Sequence, residues 1–354
     1  MGRIETLAVL AVLVPLLASS LRAAAKADDP PAGRSPAAGE GPAAKGDAAR
    51  RTPVILDTDI GDDIDDTWAL AMLLGSPELN LKLVTTEWGN AIARAKIIAK
   101  FLQQVGRTDV AVGVGLDPVD KKCNQSEWTK GYDLKSYPGK VHQDGVQAIV
   151  DTTIMKSPAP VTVISIGPTA TLAAALAREP RIATKARFVG MHGSVRRGYG
   201  GGRNVDAEYN VKQDVKACQR VFTAPWDMTI TPLDTCGVVH LGGDKYAAVR
   251  DSKSPLAVAL MENYKLWCAA NNQKGHEERD STTLFDTVAV YLALADDLLV
   301  METLGIRVTD DGFTRIDPQA KVMRVATEWK DLGAFENLLV KRLTSPPTAP
   351  AAAR

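Results

Sequence analysis

The sequence predicts an α/β protein built on a single doubly wound, mostly parallel sheet flanked by helices. Short apolar segments, such as residues 54–56 and 161–166, alternate along the chain with Ala- and Leu-rich segments of helical length. Buried parallel strands form continuous apolar runs because helices cover both faces of their sheet. Since ligands of such sheets bind at the carboxyl ends of the strands, we expect functional residues directly after strands.

Each element is predicted from its own pattern, from residue 53 onwards. Strands are predicted where short apolar or β-branched runs lie between turn residues, at 54–56, 81–86, 109–114, 161–166 and 187–191. Helices are predicted where Ala- and Leu-rich segments follow acidic or turn residues, at 65–74, 91–105, 146–155 and 169–178. Residues 254–295 are predicted to be mainly helical, and 321–344 to form a last strand and helix.

Two long loops interrupt this alternation, at residues 115–143 and 192–205. The second contains the Gly-rich segment 198–202, which lacks the Gly-x-x-x-x-Gly-Lys-Ser/Thr pattern of a phosphate-binding loop. We expect this segment to form a mobile flap over a pocket.

The two ends of the chain differ from the rest in composition. Residues 1–27 contain Arg3, an apolar run at 7–18 and small residues near Ala27, a pattern typical of a secretory signal peptide. The run is short for a membrane anchor and contains Pro15. We therefore expect an exported protein, periplasmic or secreted, without stable membrane insertion after cleavage. The expected organisation is a signal peptide, a disordered linker, a catalytic domain and a disordered tail at 1–27, 28–52, 53–345 and 346–354.

Charge and composition exclude several classes of function. The chain has 42 basic and 42 acidic side chains, so it lacks the basic surplus of a nucleic-acid-binding protein. Its four cysteines form no CxxC pair, and its four histidines form no HExxH motif. These absences disfavour a disulfide scaffold, a zinc site and thiol chemistry.

An acidic cluster follows the first predicted strand. Six of the ten residues 57–66 are aspartates, whose mutual repulsion requires a neutralising partner. A hard divalent cation such as calcium, which binds six to eight oxygen ligands, is the natural partner. An EF-hand is excluded, because its sixth and twelfth positions would be Asp62 and Trp68 instead of Gly and Glu.

Asp57 and Asp59 also resemble in part the first motif of the haloacid-dehalogenase-type phosphatases. That motif usually carries Thr or Val where this chain has Gly61. A phosphatase with Asp57 or Asp59 as nucleophile is therefore one alternative function.

A second resemblance covers almost the whole chain after the linker. Its first motif is Asp57-Thr-Asp59-Ile-Gly61, followed by Asp65-Asp66 at the start of a helix. Further motifs follow in order: Thr85-Thr-Glu-Trp-Gly89-Asn90, Ile166-Gly-Pro-Thr-Ala-Thr-Leu172, Gly190-Met-His-Gly193, Asn204-Val-Asp-Ala-Glu208-Tyr-Asn210 and Phe285-Asp286. Together they are similar to the inosine–uridine-preferring nucleoside hydrolase family.

The resemblance implies calcium-dependent hydrolysis of the N-glycosidic bond of a ribonucleoside or related N-riboside. It implies calcium ligands at Asp59, Asp66, Asp286 and the main-chain carbonyl of Ala170. Asp65 would be the general base that takes a proton from a calcium-bound water. The ribose would be bound by Asn90, Met191, Glu208 and Asn210. Relatives are commonly dimers or tetramers, so a homo-oligomer is expected.

Three departures from the family pattern leave alternatives open. Asp65-Asp66 lies two residues later than usual, so Asp62-Asp63 is a rival for part of the role, although the helix that follows favours Asp65-Asp66. Thr171 replaces a frequent Asn, and Phe285 replaces the His that helps the base depart. A non-catalytic, calcium-dependent ribose- or nucleoside-binding protein is therefore a second alternative.

The missing histidine raises the question of which other side chains contact the base. Tryptophans that could stack on a purine, or else belong to the core, are Trp88 and Trp267. Histidines that could reach the base are His142 and His192, of which His192, next to Met191, is better placed.

Overall fold

The structure is a computed structural model that describes residues 51–154 and 160–350, all within one compact unit. The expected signal peptide and most of the linker lie outside the described residues. Within the part of the chain that the structure describes, no helix combines the length and apolar composition that a membrane span requires.

The described residues form ten strands and twelve α-helices. The strands are β1 (Thr52–Thr58), β2 (Leu79–Thr86), β3 (Ala111–Gly113), β4 (Val141–His142), β5 (Val161–Ser165), β6 (Ala186–Met191), β7 (Met228–Thr231), β8 (Leu299–Val308), β9 (Thr314–Ile316) and β10 (Val322–Trp329). The helices are α1 (Asp65–Leu74), α2 (Ala91–Gln104), α3 (Gly145–Ile154), α4 (Ala170–Arg178), α5 (Ile182–Lys185), α6 (Tyr209–Gln213), α7 (Val215–Thr223), α8 (Leu233–Cys236), α9 (Gly243–Arg250), α10 (Pro255–Ala270), α11 (Thr287–Leu294) and α12 (Leu332–Thr344).

All ten strands belong to one sheet, in the order β4-β3-β2-β1-β5-β6-β7-β10-β8-β9. The pairs from β4 to β10 are parallel, and β8 pairs antiparallel with both β10 and β9. The predicted fold class is confirmed. The strand order reverses direction between β1 and β5, which places the ligand-binding crevice of such a sheet outside their carboxyl ends.

Helices cover both faces of the sheet. Successive residues of a strand point to opposite faces, so Val54 and Leu56 pack into one apolar cluster and Ile55 packs into the other. The first cluster joins the sheet to α1, α2, α10, α11 and α12, and the second joins it to α3, α4 and α7. Because both faces of the sheet are buried, the central strands are continuous apolar runs, and this is why the sequence predicted them.

Four strands were not predicted, and regular contacts extend beyond the expected domain boundaries at both ends. β1 begins at Thr52, inside the expected linker, where Thr52 N–H donates to Glu78 O (3.0 Å). Residues 346–350, expected to be disordered, contact the domain, since Thr348 N–H donates to Leu74 O (2.8 Å). β4, β7, β8 and β9 were not predicted. β4, β7 and β9 have only two, four and three residues, and β8 alternates irregularly between buried and half-exposed residues.

Candidate active site

A cavity of about 230 Å³ lies at the carboxyl ends of the central strands. It is lined by side chains that directly follow β1 and β5 or belong to the loops and helix starts beyond them. The lining residues are Asp59, Asp62, Asp63, Asp65, Asp66, Ile166, Met191, Tyr199, Glu208, Tyr209, Asn210, Phe285 and Asp286. The cavity therefore contains most of the predicted site residues.

Three buried carboxylates meet at one point of this cavity. Asp65, Asp66 and Asp286 each offer an oxygen, and these oxygens lie within 4.8 Å of one another. Asp65 and Asp66 form the start of α1, and Asp286 directly precedes α11. Asp286 N–H also donates to Asp65 Oδ2 (3.4 Å), and the Thr58 hydroxyl donates to Asp66.

Burial and mutual repulsion destabilise the charged forms of these carboxyls. Burial raises the pKa of Asp65, Asp66 and Asp286 well above the ordinary value, and the neighbouring aspartates raise it further. Three oxygens this close in a buried site suit a divalent cation, which replaces the repulsion with attraction. The donor set is hard oxygen throughout, so the residues present fit a calcium-like ion and disfavour a soft metal.

Asp59 lies beside the cluster and lines the same cavity. Burial raises its pKa to about 6, an effect that the positive charge of Arg94 opposes. Arg94 is itself fully buried, and its guanidinium donates to the carbonyls of Ile60 (2.9 Å), Trp88 (2.8 Å) and Gly89 (2.6 Å). Arg94 thus joins the loop after β1 to the loop after β2 and partly offsets the acidic charge.

The rival pair Asp62-Asp63 occupies a different position. Asp62 forms an ion pair with Lys121, and Asp63 is exposed to solvent. The main-chain carbonyls of this pair accept hydrogen bonds from Trp267 Nε1 (2.8 Å, to Asp62) and Gln125 Nε2 (2.6 Å, to Asp63). The structure therefore brings the carboxylates of Asp65 and Asp66 into one cluster with that of Asp286, whereas Asp62 and Asp63 line the same cavity outside that cluster.

Gly61 allows the acidic loop to turn at this point. Its φ of +119° is unfavourable for other residues, and a Cβ there would lie 2.7 Å from Cys123 Sγ and 3.0 Å from Ile97 Cδ1.

We expect Gly61→Ala to lower the free energy of unfolding by roughly 2–3 kcal/mol, because backbone strain and a buried clash add. The matched control is Gly106→Ala, whose φ is +74° but whose Cβ would meet nothing within 4 Å. Urea denaturation of both variants measures the difference. Equal losses in the two variants would show that the packing around Gly61 contributes nothing.

The side of the cavity formed after β6 is polar and rigid. Glu208 accepts hydrogen bonds from the main-chain N–H groups of Gly193 (2.9 Å), Asn210 (2.8 Å) and Val211 (3.2 Å). Asn210 Nδ2 donates to Met191 O (3.0 Å). Burial raises the pKa of Glu208 to about 7. These fixed acceptors and donors can bind the hydroxyls of a sugar.

Other predicted site residues lie elsewhere. Asn90 is exposed and lines a second cleft with residues 117–120. Ala170, the first residue of α4, and Trp88 are buried but do not line the cavity. His192 lies in the core, with its Nε2 3.0 Å from Gly167 O and its ring against Phe188 and Phe222. Burial lowers its pKa to about 4.

The two remaining aromatic candidates, Trp267 and His142, also lie outside the cavity. Trp267 is buried and bonds to the acidic loop, as described above. His142 belongs to β4, at the edge of the sheet far from β1 and β5. Neither lines the cavity. Their roles in binding a base, like those of Trp88 and His192, stay predictions without support from their positions. The same holds for Asn90 as a ribose-binding residue and for the Ala170 carbonyl as a calcium ligand.

Sequence reasoning missed several residues around the cavity. Lys121 and Tyr199 come from the two long loops, whose paths no local pattern fixes. Glu87 is fully buried and accepts hydrogen bonds from Thr169 N–H (2.9 Å) and Thr171 N–H (3.4 Å) at the start of α4. Glu87 could have been predicted from the sequence, because it is a charged residue directly after an apolar strand.

Comparisons with known proteins agree with this geometry. Residues 54–336 match the family of inosine-uridine preferring nucleoside hydrolases. The non-specific ribonucleoside hydrolase RihC of Escherichia fergusonii is 30% identical over 274 residues, which are 74% of this chain and 85% of that protein. A probable uridine nucleosidase 2 of Arabidopsis thaliana is 26% identical over 298 residues, covering 79% of this chain and 90% of the relative.

Solved structures show the same fold. The plant nucleoside hydrolase PpNRh1 superposes with a TM-score of 0.71 at 22% identity, covering 83% of this chain and 99% of that one. A purine-preferring ribonucleoside hydrolase from Gardnerella vaginalis gives a TM-score of 0.67 at 23% identity, covering 83% and 98%.

An α/β enzyme with a buried acidic centre at its topological switch point is the class that fold and site define. The chain belongs to the inosine-uridine preferring nucleoside hydrolase family. The predicted family and the predicted enzyme class, a hydrolase acting on N-glycosyl compounds, are thereby confirmed.

Proposed function

We propose that the protein hydrolyses the N-glycosidic bond of ribonucleosides, or of closely related N-ribosides, in a calcium-dependent reaction. The observation that carries this proposal is the cluster of Asp65, Asp66 and Asp286 facing the hydroxyl-binding groups Glu208 and Asn210 across one cavity. Family membership supplies the reaction class, since the relatives include ribonucleoside hydrolases.

Calcium would be held by Asp59, Asp66 and Asp286, with the carbonyl of Ala170 as the fourth proposed protein ligand. When bound, such an ion acidifies water and binds sugar hydroxyls. It also restores the charged state of carboxyls whose pKa burial raises. A centre made only of oxygen donors favours calcium over zinc.

Asp65 is proposed to act as the general base. Its carboxylate is buried at the start of α1 and lines the cavity. Once ionised, it accepts a proton from the water that attacks the anomeric carbon. General-base catalysis of this kind raises the rate roughly 10²- to 10⁴-fold. The negative charge around it also stabilises the oxocarbenium character that develops on the sugar as the bond breaks.

Glu208 and Asn210 are proposed to orient the ribose. Their side chains are fixed by hydrogen bonds to main-chain groups, so they are preorganised before the substrate arrives. Because a buried polar group left without its partner is costly, a sugar that lacks a hydroxyl should be rejected.

This proposal predicts a strong preference for ribonucleosides over 2′-deoxyribonucleosides. We expect kcat/KM for a ribonucleoside to exceed that for its 2′-deoxy analogue by at least about 100-fold. Release of reducing sugar from matched pairs of purine and pyrimidine nucleosides, with calcium present, measures this ratio and identifies the preferred base.

Three other results, from this assay and from parallel binding and phosphate-release assays, would each contradict the proposal. Equal rates on both sugars would show that no hydroxyl is recognised as described. Calcium-dependent binding of nucleosides without any turnover would establish a binding protein instead. Phosphate release from phosphate esters with magnesium would favour the phosphatase alternative with Asp57 or Asp59 as nucleophile.

A further inference from the structure

The more exposed lining of the cavity combines three aromatic side chains with Asp62 and Asp63, whereas its buried interior is acidic. Glu208, Asn210 and the clustered aspartates are buried, whereas Phe285 and Tyr209 are half-buried and Tyr199 is 45% exposed. If the ribose contacts the buried polar groups, as proposed above, the base must project toward these three aromatic side chains. The group that assists departure of the base must therefore be sought among them.

The open end lacks the usual strong proton donors. Of the described residues that line the cavity, none is a histidine, lysine or arginine. Phe285, directly before Asp286, offers only a hydrocarbon ring, and His192, the residue after Met191, is buried in the core against Phe188. Two phenol hydroxyls, those of Tyr199 and Tyr209, remain as neutral O–H donors.

The two hydroxyls differ in their hydrogen bonds. The Tyr209 hydroxyl accepts from Lys121 and donates to Asp62 Oδ2 (3.3 Å), so both of its capacities are in use. The Tyr199 hydroxyl accepts from Tyr209 N–H (2.9 Å) and donates to no other described residue. Its own proton is consequently available to a ligand.

Tyr199 also lies beside the position that lacks a histidine. Its ring packs edge-to-face on Phe285, with ring centroids 6.0 Å apart and an interplanar angle of 83°. Tyr199 N–H donates to Asp206 Oδ2 (2.9 Å), and Gly198 N–H donates to Gly202 O (3.0 Å) across the short turn. The positive φ of Gly200 (+61°) and of Gly201 (+75°) permits this tight turn.

We propose that Tyr199 donates the proton to the departing base, in place of the histidine that Phe285 replaces. This assignment rests on the proposed hydrolysis. The C1′–N bond breaks and its electron pair passes to the base, which takes the phenol proton at a ring nitrogen or conjugated oxygen. The attacking water forms the new C1′–O bond and gives a proton to Asp65. Asp65 then releases its proton to solvent and the exposed phenolate takes one up, so both residues return to their starting states and one water is consumed for each bond cleaved.

The test compares Tyr199→Phe with the wild-type protein on two leaving groups. One substrate is the best ribonucleoside, and the other is p-nitrophenyl β-ribofuranoside, whose nitrophenolate departs without a proton. We expect kcat/KM for the ribonucleoside to fall about 100-fold, and that for the nitrophenyl riboside to fall by less than about threefold. Tyr132→Phe is the matched control, because it removes a hydroxyl that donates to Gln103 Oε1 (2.7 Å), outside the cavity.

The outcomes separate the role of Tyr199 from the proposed reaction. Equal losses on the two substrates would overturn the assignment and leave Tyr199 as a residue that shapes the pocket. Full activity of Tyr199→Phe on the ribonucleoside would also overturn it. If the wild-type protein hydrolyses neither substrate, the proposed hydrolysis itself fails. An unchanged Tm of Tyr199→Phe shows that any loss comes from the hydroxyl and not from misfolding.

Discussion

Replacing Asp65 with asparagine is expected to lower kcat by on the order of 10³-fold while leaving the fold intact. Asparagine has nearly the same shape as aspartate but cannot accept the proton of the attacking water. The substitution also removes one charge from a buried cluster, so the metal-free Tm should stay the same or rise. Initial rates at saturating substrate and calcium, together with a thermal melt, measure both quantities.

Asp63→Asn is the matched control for this prediction, because Asp63 belongs to the same loop and to the rival pair. Its side chain lines the cavity but lies outside the cluster of Asp65, Asp66 and Asp286, and its main-chain carbonyl, which binds Gln125, is unchanged by the substitution. Because Asp63 lines the cavity but is not the proposed base, we expect its substitution to lower kcat at least about tenfold less than Asp65→Asn does. A large loss in Asp63→Asn with an active Asp65→Asn would reverse the assignment of the base.

The sequence predicted those parts of the site that depend on short-range order. Asp59 directly follows β1, and Asp65 and Asp66 start α1, so their positions follow from a strand, a turn and a helix. Asp286 is different, because it lies 221 residues from Asp65 and only the family resemblance identified it. A contact that distant depends on the packing of α11 against α1, which no local pattern reveals.

The misplaced candidates have equally specific physical causes. Met191 ends β6 and His192 follows it, and successive side chains of an extended chain point to opposite faces. Once Met191 faces the cavity, His192 must enter the apolar cluster that contains Phe188 and Phe222. This result was available from periodicity alone. The exposed position of Asn90 was not, because it depends on the left-handed φ values of Trp88 (+61°) and Asn90 (+49°).

Contacts to the main chain were also beyond sequence reasoning. The acidic loop is held by hydrogen bonds from Arg94, Gln125 and Trp267 to its carbonyl groups. Because every residue has a main-chain carbonyl, the sequence does not indicate which residues accept these hydrogen bonds. Arg94, fully buried and hydrogen-bonded to three main-chain carbonyls, illustrates how a cation can organise a site through main-chain dipoles.

Removing calcium is expected to abolish activity and to destabilise the protein more at pH 8 than at pH 5. In the metal-free protein, burial raises the pKa of Asp59 to about 6 and that of Asp57 to about 7. A carboxyl with a raised folded-state pKa stabilises the fold below its ordinary pKa, near 4, and this contribution is lost as the pH rises through the folded-state value. Metal-free stability should therefore fall between pH 5 and pH 8.

A bound divalent ion reverses this dependence, because it favours the ionised carboxylates that burial disfavours. For Asp59 alone, a rise in pKa from 3.8 to about 6 corresponds to about 3 kcal/mol. We expect the gain in Tm on adding saturating calcium to metal-free protein to be roughly 5 °C larger at pH 8 than at pH 5. Protein freed of metal and chelator before the melt avoids the pH dependence of the chelator.

Asp59→Asn separates this linkage from a general effect of pH. The variant lacks one carboxyl that must ionise, so its metal-free Tm should fall less between pH 5 and pH 8, and its gain from calcium should be smaller. Magnesium and zinc, added in place of calcium, should restore less activity, because the centre offers only oxygen donors and magnesium demands a tighter octahedral geometry. A calcium gain that is equal at both pH values, or larger at pH 5, would show that the buried aspartates are not the groups that bind the ion.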